Sequence, residues 1–157
     1  MTSENGGLQR PECRFIDHDV ATGIYPDMRE HGWPTDAWLD EVWPLVDAAD
    51  IRVVGGPLWL GDNASIIRKF IGSLYAMRGM SNERGQHVFS GKTAGALITG
   101  NEDGAKHAAM SILYSLQHIG DVIPPVADAG DIPGFGNLRK AWDEVERFGS
   151  DANPEYH

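Results

Sequence analysis

Hydrophobic residues along this chain switch repeatedly between two spacings. Near the N-terminus, "CRFIDHDV" (Cys13–Val20) reads as a short strand with Cys13, Phe15 and Asp17 on one face. Ala21 to Pro34, holding Gly23, Pro26, Gly32 and Pro34, reads as loop. "PTDAWLDEVWPLVDAAD" then places Trp38, Val42, Leu45, Val46 and Ala49 on a helical stripe, with Thr35 or Asp36 as cap. Pro44 removes a backbone donor, so the helix either kinks there or begins near Trp43 with Pro44 at its first position.

"IRVVGG" (Ile51–Gly56) is a β-branched strand candidate, and "PLWLG" follows as a turn. Asp62 or Asn63 is placed to cap a helix with the stripe Ile67, Phe70, Ile71 and Leu74. After a polar loop, "KTAGALITG" reads as a second buried strand. "NEDG" then leads to a helix with Ala109, Ile112, Leu113, Leu116 and Ile119, ended by Gly120. "DVIPP" reads as a brief third strand, giving parallel strands near 51–55, 94–99 and 121–124. In the tail, Leu138, Ala141, Trp142, Val145 and Phe148 recur at helical spacing behind Asn137. Alternating strands and helices joined by crossovers predict an α/β fold with a parallel sheet. The expected layout is a polar, disordered lead-in over 1–12, one domain over 13–148 and a tail over 149–157.

Length and composition narrow the function classes. A chain of 157 residues with 41% hydrophobic residues suits one globular domain. Its net charge of −10 argues against a general nucleic-acid or anionic-membrane surface, both of which need concentrated Lys and Arg. One cysteine permits no internal disulfide, no apolar run is long enough to span a bilayer, and the N-terminus lacks a signal pattern. A cytoplasmic protein is the expectation.

Several chemistry-bearing residues carry little. Asp17, His18 and Asp19 are metal-ligand types, but neighbours on a strand face opposite ways and no third ligand is identifiable, so no metal site is expected. His107 and His118 lack the i, i+4 spacing of a helical zinc pair and read as surface residues. Ser90, Ser111 and Ser115 have no nucleophile-elbow glycines. Cys13 has no recognisable histidine partner and reads as buried or incidental. "GFGN" lacks the strand-to-helix context of a dinucleotide loop.

The turns are more informative. In open parallel sheets, ligands bind beyond the carboxyl ends of the strands. Pro57–Gly61 and Gly100–Gly104 both lie there, each joining a strand end to a helix start. One offers a flat aromatic and two leucines. The other offers backbone donors, an amide, two carboxylates and two glycines, so the pair suits a planar heteroaromatic ligand with a hydrogen-bonding edge. Taken singly, each loop reads more readily as structure, a plug at a core edge or subunit interface or an ordinary turn with a helix cap; only the pair brings the ligand reading level.

From Phe15 to Ile132 the chain resembles the flavodoxin-like family of NADPH-dependent FMN reductases. The stretches "FIDHDV", "AADIRVVGGPLWLGDNAS", "SGKTAGALITGNEDGAKHA" and "LYSLQHIGDVIPPVAD" carry the resemblance. It implies a flavodoxin-like three-layer sandwich with a parallel sheet. Pro57, Leu58, Trp59, Leu60 and Gly61 would lie along the flavin ring and ribityl chain. Thr99, Gly100, Asn101, Glu102, Asp103 and Gly104 would meet the ring's polar edge. The implied activity is an FMN-dependent oxidoreductase taking a hydride from NADPH or NADH and passing electrons to a small-molecule acceptor such as a quinone or free flavin. No side chain is implied as acid or base. The family's habit implies a homo-oligomer, with no nucleic-acid or membrane partner.

The chain departs from that family in two places. About a dozen polar residues precede Phe15, so the first strand and phosphate loop are expected to be lacking, and the stretch around Asp131–Pro133 reads as shortened. The alternative function is therefore a non-catalytic flavodoxin-like module that has lost tight flavin binding and acts through self-association or a partner.

Overall fold

The computed structural model describes residues 11–101 and 103–130. Among these residues four strands form one sheet: β1 (Ile51–Trp59), β2 (Asp62–Asn63), β3 (Thr93–Thr99) and β4 (Asp128–Gly130), in the order β2-β1-β3-β4. β1 pairs in parallel with β3 from Ile51↔Thr93 to Pro57↔Thr99, and β3 pairs in parallel with β4. The exception is the antiparallel β1–β2 pair, only two residues long. Three helices follow the strands' rhythm: α1 (Trp43–Ala48), α2 (Ser65–Ala76) and α3 (Ala105–Ile119).

β1 alternates strictly between exposed and buried positions, so Arg52, Val54 and Leu58 share one face. The hydrophobic core lies against that face. It joins Val54, Leu58, Ala94, Ala96 and Ile98 to Trp38, Val42, Trp43 and Val46, to Ile67 and Leu74 of α2, and to Ala108, Ile112 and Leu116 of α3. Ile51 and Val53 stand on the opposite face and are exposed. Gly56 in β1 is there for approach: a Cβ on it would meet the Ile67 side chain at 2.5 Å.

Several expectations are corrected. Cys13–Val20 is not a strand: Phe15–Asp17 forms a turn of 3-10 helix instead. The Phe15 ring sets its edge against Trp38 and Phe70, so an aromatic anchor replaces ladder pairing. Of the two readings of Pro44, the second holds: α1 begins at Trp43 with Pro44 at its start. Trp38–Val42 is a π-helical stretch, with the Val42 amide donating to the Ala37 carbonyl at 3.3 Å, and α1 follows with Pro44 in its first turn. Widening the helix by one residue accommodates the missing proline donor. Leu45 consequently turns outward and Trp43 takes an inward place.

Asp62 and Asn63 do not cap α2; they are β2, and α2 begins after Ala64 without a side-chain cap. At 121–124 there is one parallel bridge, Val122 to Thr93, while the third parallel strand lies further on, at β4. α3 and its Gly120 terminus (φ +121°) follow the pattern read from the sequence. The proposed tail helix beyond Asn137, residues 1–10 of the lead-in read over 1–12, and the domain limit set at 148 lie outside the described residues. Among the described residues, no helix is long and apolar enough to cross a membrane.

Candidate functional site

Parallel pairing puts the carboxyl ends of β1 and β3 side by side, with Pro57 opposite Thr99. The stretch read as a turn is mostly strand: β1 runs on through Trp59, and the chain reverses over Leu60 and Gly61 alone before pairing again as β2. Both tip residues have positive φ, 52° and 75°, as tight hairpin turns that match strand twist require. Glycine adopts that conformation freely, whereas for leucine it is sterically costly. The hairpin holds Leu58 in the core and leaves Trp59 60% and Leu60 94% exposed.

The second loop is locked against the first. At Gly104 (φ +109°), an added Cβ would fall 2.8 Å from both the Cα and the carbonyl oxygen of Gly61. At Gly100, it would fall 2.8 Å from the Leu58 Cβ. Three glycines thus let two loops lie in backbone contact. The Asp103 carboxylate accepts from the Gly104 amide at 2.8 Å and steadies the entry to α3. Asn101 and Asp103 are exposed beside the hairpin, Thr99, Gly100 and Gly104 are half-buried, and Glu102 lies outside the described residues.

Residues behind the rim brace it in ways the sequence reading did not give them. The Asn63 side-chain amide donates to the Ala108 carbonyl at 2.9 Å, tying β2 to α3. Arg68 donates to the Ser111 hydroxyl at 2.6 Å and to the Asp62 carboxylate at 3.1 Å, so Ser111 has a bracing role. The Asn63 backbone amide, with Arg68 and His107 nearby, holds the Asp62 carboxyl below its ordinary value. The Asn63–Ala108 and Arg68–Ser111 contacts join residues far apart in sequence, so no local pattern announces them.

A flat aromatic surface, an exposed amide and approachable backbone meet within one braced rim. That donor set fits a planar heteroaromatic group: Trp59 and Leu60 offer area for stacking, and Asn101 with the glycine-flanked backbone offers hydrogen bonds. The two loops that carry the described sequence-derived residues lie at adjacent strand ends, and Leu58 faces the core and supports the rim from beneath.

A second cluster lies elsewhere. Cys13 is exposed and does have a histidine partner: its Sγ is 3.7 Å from His18 Nε2, and His18 Nδ1 is 2.7 Å from Glu41 Oε2. The strand reading hid this, because on a strand Cys13 and His18 face opposite ways, whereas the 3-10 turn between them brings them together.

No protein-family model matches the chain. Over 142 residues it is 30% identical to 8-demethyl-8-aminoriboflavin-5'-phosphate synthase of Streptomyces davaonensis, covering 84% of this chain and 55% of that protein. Over 130 residues it is 54% identical to a protein of Mycobacterium bovis described as the divalent metal cation transporter MntH, covering 83% of this chain but 19% of that one. Among solved structures it is similar to RosB with bound 8-demethyl-8-formylriboflavin-5'-phosphate: TM-score 0.68, 28% identity, 83% of this chain and 55% of that chain. The chain thus spans about half the length of the synthase and about a fifth of the transporter protein. It is homologous to RosB, the 8-demethyl-8-aminoriboflavin-5'-phosphate synthase, and shares its flavodoxin-like α/β fold.

Proposed function

We propose that the rim formed by Trp59–Gly61 and Thr99–Gly104 binds a flavin of the riboflavin-5'-phosphate class, FMN in the simplest case. The carrying observation is the backbone contact between Gly61 and Gly104, which joins the hairpin bearing exposed Trp59 to the loop bearing exposed Asn101 at the carboxyl ends of two parallel strands. Homology to a protein whose solved structure holds a flavin derivative supports the same ligand class.

Trp59 and Leu60 would cover a face of the ring system. Asn101 and the backbone amides around Gly100 and Gly104 would hydrogen-bond its polar edge. Bound flavin would supply the redox chemistry, accepting a hydride from NADPH or NADH and passing electrons to a small acceptor such as a quinone or free flavin. The residues of this chain orient the ring and shield it from water, and no acid or base need come from the rim. Anaerobic addition of NADPH or NADH to the protein with FMN tests the oxidoreductase reading. It expects loss of the visible flavin band at a rate set by the protein. Bleaching no faster than with FMN alone would refute it.

A further inference from the structure

We propose that Cys13, His18 and Glu41 form a thiol-exchange site that takes small disulfides from solution. Three groups from two separate segments meet in a row. The thiol donates to His18 Nε2, and His18 Nδ1–H donates to the Glu41 carboxylate at 2.7 Å. That chain of donors fixes the imidazole tautomer, leaving Nε2 free to accept the thiol proton. A nucleophile within reach of a base, itself oriented by a third group, is the arrangement that activates a weak nucleophile.

The geometry is held by the surrounding fold. The His18 amide closes the 3-10 turn onto the Phe15 carbonyl at 3.3 Å, and Phe15 is wedged between Trp38 and Phe70. The opposite segment is pinned too. The Ala37 amide donates to the Asp19 carbonyl at 2.9 Å and the Thr35 hydroxyl to the Asp19 carboxylate at 2.5 Å. Buried Asp36 accepts from the amides of Ala21, Met28 and Trp38. Cys13 itself is open to solvent.

A base is needed here. Burial and the Asp17 carboxylate raise the thiol above its ordinary pKa, so thiolate is scarce at neutral pH. Asp17 shares the turn with Arg14, 3.4 Å away, and Glu41 faces His18 from the π-helical stretch. In the proposed step the S–H bond breaks and its proton passes to His18 Nε2. The sulfur attacks one sulfur of the small disulfide, whose S–S bond breaks. The departing thiolate takes the proton back from the imidazolium. The products are a mixed disulfide on Cys13 and one free small thiol, with no further oxidant or reductant.

Because Cys13 is the single cysteine of the chain, labelling reports this site alone. The test is the rate of reaction of the whole protein with dithiodipyridine, followed by absorbance from about pH 6 to about pH 9. Wild type is expected to react at neutral pH about tenfold or more faster than His18→Gln. The His18→Gln rate should climb with pH as a simple thiol does, while wild type climbs less steeply. Glu41→Gln, on an exposed side chain, should fall between the two and show a shifted pH profile. Cys13→Ser should not react. Equal rates and parallel pH profiles for wild type, His18→Gln and Glu41→Gln would overturn the proposal.

Discussion

The two ends of the sheet are built on opposite principles. At the amino end of β1, Arg52 and Asp121 form a buried ion pair, and the guanidinium lies 4.8 Å from the Phe89 ring centroid. Lys92 donates to the carbonyls of Asp47 and Ala49 beside them. Segment 121–122 is stitched to β3 by the Val122 amide donating to Lys92 and the Ala94 amide donating to Val122. Burial pushes the Arg52 guanidinium down to about 10, with Asp47 acting in the opposite sense. At the carboxyl end the chain leaves a large aromatic and a leucine in water, on a tip whose backbone disfavours leucine. Closure at one end leaves the other free to present a surface.

The largest expected effect comes from the closed end. Asp121→Ala strands a buried guanidinium and should cost about 3–5 kcal/mol of folding stability. Exchanging both partners for apolar residues of similar volume should cost far less, and chemical denaturation of the three proteins checks the contrast. At the open end, Gly104→Ala forces a side chain into positive φ and onto Gly61. It should cost roughly 1–3 kcal/mol and separate the two loops. It should therefore weaken flavin binding as well as folding, a pairing that Asp121→Ala need not show.

How much of this was legible in the sequence depended on how local each signal was. α3 and its glycine stop follow from spacing within one segment, and so does the strand at β1. The rim was legible because both loops sit at strand ends of one alternating pattern. Phe15 misled because alternation over eight residues looks like a strand, whereas its place is decided by Trp38 and Phe70 far along the chain. Phe89, fully buried, sat unread within a polar stretch. Arg52–Asp121, Arg68–Ser111 and Cys13–His18–Glu41 are pairings through space with no common period.

Smaller substitutions sharpen the contrast. Leu60→Asn would place an Asn-Gly pair at a turn with two positive φ angles and should stabilise folding by about 0.5–1 kcal/mol. The same change should weaken flavin binding, since it removes apolar surface from the rim. Thermal denaturation and titration on one preparation check both signs. The smallest effect belongs to Asp62, whose folded carboxyl lies below its ordinary 3.8. Its contribution is present above that value and lost as pH falls through the folded value. The stability difference between wild type and Asp62→Asn should therefore shrink on acidification and be steady near neutrality.

The central claim is that the exposed tryptophan at the open end is a flavin platform. Its most direct test is a fluorescence titration of FMN with wild type and with Trp59→Ala. Wild type should quench the flavin emission saturably. Trp59→Ala, with folding confirmed by denaturation, should bind about tenfold or more weaker, the loss expected for one stacking aromatic. Equal affinity in the two proteins, or no saturable quenching by wild type, would contradict the account.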